Sequence, residues 1–386
     1  MNSFEMKFGM KAGKVRLGLM VVASLALFAL LLTDGNSAKG SSEGSTNQLE
    51  KDVPDLMKKF GVPGIEIALI RHGKTTWLHA FGVRETRTGQ AVMNDTIFEA
   101  ASLSKPVFAY GVLKLVEQGR LGLDVPLTTY LPKPYIAGDD RLAKITARIV
   151  LSHRTGFPNW RDGDALPIYF TPGERFSYSG EGYVYLQRVV EQITGKPLND
   201  YMTEAVFQPL GMSSSSYVWK SSFDAVTATG HEANGKAVDK WKPNEAGAAS
   251  TLNTTARDYA LFVEAVLNGK GLKPATLREM ETSQVALDPE CRICIKHEPK
   301  QLSKNLFWGL GWGIERNDGR EQIWHWGDNG SFKAFVMAEP KTKSGVVMFA
   351  DSENGLELAR PLVDEAMGED SLAFDWLNGP AFGAAN

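Results

Sequence analysis

The chain has 386 residues, 43% of them apolar and 23% charged, and a formal net charge of −3. A chain of that size and composition folds as one large globular domain or two interleaved ones. The small net charge gives no basis for a nucleic acid or acidic partner, and no internal period points to a solenoid.

The first 36 residues stand apart. Lys7, Lys11, Lys14 and Arg16 precede an unbroken apolar run from Leu17 to Leu32, the order of an export signal. The run is long for a signal core and just short of a full membrane span. Cleavage near the small residues Gly35, Ser37 and Ala38 is therefore favoured over a retained anchor. Either way the positive flank stays inside and the rest is carried across. The expected location is exported, periplasmic or extracellular, with a membrane tether if the segment is kept. Residues 37–47 read as a flexible linker, and residues 48–386 as the folded domain.

Residues 48–60 place Leu49, Val53, Leu56, Met57 and Phe60 at helical spacing. The breaker cluster Gly61-Val62-Pro63-Gly64 follows. Residues 65–70 and 75–81 are β-rich runs joined by Arg71-His72-Gly73-Lys74, a hairpin pattern. Val107, Phe108, Val112, Leu113, Leu115 and Val116 then recur with a helical period; Pro106 suits the first turn and Gly119 stops the helix. Residues 145–151, 181–194, 201–207 and 257–267 read as further helices. The loop over 217–251 is long and polar, which points to function or a surface insertion. Strand composition returns at 309–314, 323–326, 332–339 and 345–351, and 356–367 reads as a closing helix. The fold class is α/β of the α+β type. One antiparallel sheet flanked by helices is built from both chain ends (48–101 and 305–386), with a mainly helical region (102–304) inserted between them. A cleft between the two parts is where a site is expected.

Three stretches can carry chemistry. Ala101-Ser102-Leu103-Ser104-Lys105-Pro106 opens the first long apolar helix. Ser102 lies at or just before its N-terminus and Lys105 one turn later on the same face. A serine hydroxyl is a weak nucleophile that needs a base beside it. Free N–H groups at a helix start can hold a developing oxyanion, and an amine shifted down by burial can take the proton. Alone, the pattern reads equally as an N-cap serine and a solvated lysine. Phe176-Ser177-Tyr178-Ser179-Gly180 sits just ahead of a helix and puts a tyrosine where it could shuttle protons. Trp324-His325-Trp326-Gly327-Asp328 ends a strand, and Gly327 permits close approach at the edge of a cleft. His153, in Ser-His-Arg-Thr-Gly, reads as a residue that fixes a loop. No Gly-x-Ser-x-Gly elbow, His-Glu-x-x-His or phosphate loop occurs. A lysine-activated serine remains, with no cofactor or metal called for. Cys291 and Cys294 are the only cysteines. They could form a local disulfide, which is the preferred reading for an exported chain, stay free, or hold a metal with His297.

In this order, Ser102-Leu103-Ser104-Lys105, Tyr178-Ser179-Gly180 and His325-Trp326-Gly327 resemble the three motifs of the serine β-lactamase and penicillin-binding-protein superfamily. The branch most similar is the class C β-lactamase-related serine hydrolases, which include D-amino acid peptidases and carboxylesterases. Leu151-Ser152-His153-Arg154-Thr155-Gly156, Pro172-Gly173-Glu174, Pro209-Leu210-Gly211-Met212 and Gly309-Leu310-Gly311-Trp312-Gly313 resemble that branch too, and the likeness runs from about Val53 to Ser352. It implies a β-lactamase/transpeptidase-like fold and makes 48–386 a catalytic domain. It implies that Ser102 is the nucleophile of an acyl-enzyme and that Lys105 and Tyr178 share proton transfer. The backbone N–H groups of Ser102 and Asp328 would form the oxyanion hole, and Gly180, His325, Trp326 and Gly327 would bind substrate.

Two departures from the family pattern matter. The middle motif usually ends in Asn, here Gly180, and the third usually begins with Lys, here His325, which is mostly uncharged at neutral pH. Both weaken β-lactam hydrolysis and fit an esterase or peptidase better. The expectation is an exported serine hydrolase acting on a small ester, amide, lactam or peptide substrate. The alternative is a non-catalytic envelope protein that binds peptidoglycan or a peptide in the same cleft.

Overall fold

The N-terminal and C-terminal parts of the described chain meet in one sheet. The structure, a computed structural model, describes residues 46–163, 165–296, 298–368 and 370–378. The chain divides into two units, Met1–Glu50 and Lys51–Asn386. Of the first, residues 46–50 are described and helical; the export segment and most of the linker lie outside the described residues. The second unit opens with a helix over residues 51–60 and holds the sheet.

The N-terminal side supplies β1 (Gly64–Arg71), β2 (Lys74–Glu85) and β3 (Gln90–Ala91). The C-terminal side supplies β7 (Leu306–Trp308), β8 (Gly313–Asn317), β9 (Arg320–Asp328), β10 (Lys333–Glu339) and β11 (Ser344–Ala350). Between them come β4 (Phe98–Glu99), β5 (Asn253–Thr254) and β6 (Val285–Ala286). Among the described residues, nine strands form one antiparallel sheet in the order β3-β2-β1-β11-β10-β9-β8-β7-β6, while β4 and β5 pair separately. The seam is β1 against β11, with Ile65 opposite Ala350 and Ile70 opposite Gly345. The expected hairpin over 65–81 is β1 and β2. The run 309–314, read as one strand, is instead the turn between β7 and β8 together with the first residues of β8. Gly309 N donates to Trp312 O at 2.8 Å, and Gly311 takes φ +89°, so the glycines bend the chain rather than extend it. Strand β6 lies inside the stretch read as helical.

Strands β10 and β11 are buried at nearly every position, so both sheet faces are covered. Helix α1 (Ser104–Glu117) is buried on all sides, not along one stripe: every residue from Ser104 to Leu113 is inside. It is the central helix of the core. Helix α2 (Gly180–Thr194) is capped by the Ser179 side chain, which accepts from Gly182 N, and closed by Gly195 at φ +69°. Helix α3 (Ala256–Asn268) packs on β1, β2 and β11; α4 (Ala359–Met367) packs on β11 and α5 (Leu372–Asn378) on β8.

Candidate active site

The nucleophile candidate sits on a strained turn. Ala101 to Leu103 form a single 3₁₀ turn that runs into α1. Ala101 has φ +48°, costly for a residue with a side chain. The turn is tied down from both sides: the Ser104 hydroxyl donates to Ala101 O and accepts from Leu252 N at 3.0 Å. Ser102 is the second residue of the turn, so its N–H has no carbonyl one turn back to bond.

Lys105 follows one helical turn later and is fully buried. Its Nζ lies 2.9 Å from Ser102 Oγ and donates to Ala249 O at 2.8 Å. The rings of Tyr178 and Tyr183 stand 4.9 and 5.7 Å away. No carboxylate among the described residues pairs with it, and burial drives its pKa well below the ordinary lysine value. Burial at this position favours the unprotonated amine, whose lone pair can take the serine proton. Ala249 and Ser250 come from the end of the long 217–251 loop, which gives that loop its part in the site.

Tyr178 is held from three directions. Its N–H donates to Arg292 O at 2.8 Å. On either side of it in the chain, Ser177 N donates to His153 O at 2.8 Å and Ser179 N donates to His153 Nδ1 at 3.0 Å. The His153 imidazole stacks on the phenol, centroids 4.2 Å apart. Its pKa is driven well down by burial and by the charge at Lys105. His153 is therefore a positioning residue, as its sequence context indicates. The Tyr178 hydroxyl is buried and makes no hydrogen bond of ordinary geometry among the described residues. Burial pushes its pKa above that of a free phenol, and the Ser102 side chain nearby opposes that shift. Tyr178 stays a phenol at neutral pH.

Strand β9 brings the third motif to the same place. A Cβ on Gly327 would stand 2.5 Å from Ala100 O and 3.3 Å from the Ala101 side chain. Only glycine lets the strand end lie against the nucleophile turn, and this sets the Asp328 backbone beside Ser102. Asp328 Oδ1 pairs with Lys333 Nζ and accepts from Gly330 N at 2.9 Å.

A cavity of about 230 Å³ opens over Ser102, lined by Asn159, Trp160, Tyr178, Ser250, Arg292, Ile293, Trp326, Asp328 and Asn329. Ser102, Tyr178, Trp326 and Asp328 thus meet where the sequence placed them, with Lys105 directly beneath. Three expected substrate contacts are corrected. His325 is fully buried and faces inward; its Nδ1 donates to Trp326 O at 2.7 Å, and Trp308 lies 5.3 Å from its ring. Burial, then the charge at Lys105, lowers its pKa to about 3, so it supplies no cation. Gly180 is covered by Trp160 and Gly327 by the Ala100 carbonyl; neither lines the cavity.

Cys291 and Cys294 are joined in a disulfide, while His297 lies outside the described residues. The two residues between them, Arg292 and Ile293, form a wall of the cavity. Arg292 was not singled out by any motif. Burial lowers its pKa to about 10, with Asp328 opposing, so it is a cation at neutral pH, and its Nη1 donates to Leu377 O. Its only sequence signal was the tight two-residue loop that a Cys-x-x-Cys bridge displays. A larger groove of about 360 Å³, lined by Arg175, Phe176, Val285, Asp288 and Leu302 among others, carries no serine or lysine among its described lining residues.

A serine and a buried lysine one helical turn apart, against the end of a strand of a large antiparallel sheet, define a serine hydrolase fold of the β-lactamase type. The chain belongs to the Beta-lactamase family, whose model matches residues 49–366. It is 27% identical over 342 residues to penicillin-binding protein 4 of Amycolatopsis lactamdurans, covering 81% of this chain and 88% of that one. It is 32% identical over 202 residues to the esterase EstB of Burkholderia gladioli, covering 44% of this chain and about half, 51%, of that one. The D-alanine carboxypeptidase AmpC of Burkholderia cenocepacia has the same fold, with a TM-score of 0.71 at 21% identity over 85% of this chain and 99% of that one.

Proposed function

We propose that this protein is an exported serine hydrolase that cleaves small carboxylic esters or amides through an acyl-enzyme on Ser102. The observation that carries the reading is the 2.9 Å approach of a dry, uncompensated Lys105 amine to the Ser102 hydroxyl. Lys105 Nζ takes the Oγ proton as Oγ adds to the substrate carbonyl carbon. The oxyanion is held by the N–H groups of Ser102 and Asp328. As the intermediate collapses, the leaving oxygen or nitrogen takes a proton from the Lys105 ammonium, directly or through the Tyr178 hydroxyl. Water then attacks the acyl-enzyme along the same route in reverse, giving the acid and restoring Ser102. Tyr178 acts as a phenol relay and Lys105 as the base, because burial pushes their pKa values apart.

Two features favour a small ester over a β-lactam. His325 is neutral, and the cavity, at about 230 Å³, is smaller than the roughly 300–1,000 Å³ of drug-sized sites. The name of the EstB relative agrees with that choice. Export is supported by the charged and apolar order of residues 7–32. The test is a panel of p-nitrophenyl esters, a chromogenic cephalosporin and D-amino acid amides, run with wild type and Ser102→Ala, beside intact mass after a fluorophosphonate. Ester turnover lost in Ser102→Ala and a single adduct on Ser102 are expected. No adduct, or turnover that survives Ser102→Ala, overturns the proposal.

A further inference from the structure

Trp160 breaks the rule that the aromatic side chains near the site are buried: it is 49% exposed. It is nonetheless firmly held. Before it, Asn159 Oδ1 accepts from Gly180 N and Asn159 O from Glu181 N, both at 2.9 Å. After it, Arg161 pairs with Glu181 at 2.9 Å, and the Tyr135 hydroxyl donates to the same carboxylate oxygen at 2.6 Å. The chain is thus pinned on both sides of the indole. The six-membered ring lies over Gly180: a Cβ built there would stand 2.7 Å from Cη2 and 2.9 Å from Cζ3. Gly180 is the first residue of α2 and is not among the glycines at positive φ. Alanine would suit its backbone, so the missing side chain answers to the indole and not to a turn. Trp160 also lines the cavity with Ser102, and Lys105 Nζ is 6.0 Å from the ring centre.

We propose that Trp160 determines the specificity of this site. It is a fixed aromatic platform that receives the apolar or aryl group next to the scissile carbonyl, and Gly180 is the gap that lets the indole lie there. The inference rests on ester hydrolysis at Ser102. A ring already ordered loses little freedom when a substrate settles on it, and its face takes alkyl or aryl groups while excluding water from the carbonyl.

The test compares kcat/KM for p-nitrophenyl acetate, butyrate and phenylacetate in wild type, Trp160→Ala, Trp160→Phe and Gly180→Ala, with fluorophosphonate labelling of Ser102 in each. The butyrate-to-acetate and phenylacetate-to-acetate ratios should fall about tenfold in Trp160→Ala and be largely kept in Trp160→Phe. Gly180→Ala should move them the same way, because its methyl displaces the indole, and adding it to Trp160→Ala should lower them no further. Ratios unchanged in Trp160→Ala, or all three esters falling by one factor, overturn the proposal. A wild type that takes no label and cleaves none of the esters defeats the hydrolase reading instead.

Discussion

Lys105→Met separates catalysis from folding, because the two make opposite demands on this side chain. At pH 7 the unfolded chain holds the amine protonated, whereas burial in the fold disfavours its charged form. Folding therefore loses about 1.4 kcal/mol for each unit by which the folded pKa lies below the unfolded one, counted only down to the working pH. The folded value lies below the unfolded one. Wild-type stability must then rise with pH from the folded pKa of Lys105 up toward 10.5, where both states are neutral. Methionine has nearly the same shape and no charge. It relieves that penalty but leaves Ala249 O without its donor, a loss of about 1–3 kcal/mol. The two effects oppose one another, so Lys105→Met should be no more than about 2 kcal/mol less stable than wild type at pH 7. Its stability relative to wild type should decline steadily between pH 7 and pH 10. Turnover should fall by about a thousandfold or more, since nucleophile and base act as a unit. Urea titrations at several pH values and ester kinetics measure both. A variant that loses activity only in proportion to a stability loss above about 4 kcal/mol would refute the assignment of Lys105 as the base. So would one that keeps its activity.

Activity of wild type should rise with pH through one ionisation well below the ordinary 10.5 of lysine, because only the unprotonated amine is competent. It should then stay level to about pH 10, because burial holds the Tyr178 phenol protonated; a fall beginning near pH 8 would contradict the phenol role. Opening the Cys291–Cys294 bridge with a thiol, or by Cys291→Ser with Cys294→Ser, loosens the wall that accepts the Tyr178 N–H at Arg292 O. The bridge closes a short loop, so the stability loss should be about 2 kcal/mol or less, while kcat/KM drops about tenfold and recovers on reoxidation; an unaffected rate would show that the wall does not set the site. Gly327→Ala puts a methyl 2.5 Å from Ala100 O, so the turn carrying Ser102 must move. Ester kcat/KM should fall about a hundredfold, with fluorophosphonate labelling slowed to match.

What could be read from the sequence follows from how far apart the cooperating residues lie. Ser102 and Lys105 are three residues apart where a 3₁₀ turn runs into α1, so local turn geometry brings them together, and the observed 2.9 Å is a local consequence. Tyr178 is distant in sequence, but its loop ends at the N-cap Ser179, a signal that fixes where the chain turns. The hairpin and the late strands were legible because their apolar runs and turn residues are also local. His325 was recognisable and still misassigned. A strand alternates its faces, and which face meets the cavity is settled by the register with β10, where His325 stands opposite Val336, inside the core. The same holds for Gly180. In the sequence it is a missing amide; in the fold its space is taken by the indole of a residue twenty positions earlier. Arg292 and Ile293 reach the cavity because a disulfide tightens the loop that carries them and Tyr178 bonds to it, a contact across more than a hundred residues. The chemistry of the site is thus encoded within single elements, whereas its walls are encoded between them. A change in substrate preference should therefore map to Trp160, Ile293 or Arg292 and leave the Ser102 and Lys105 pair in place.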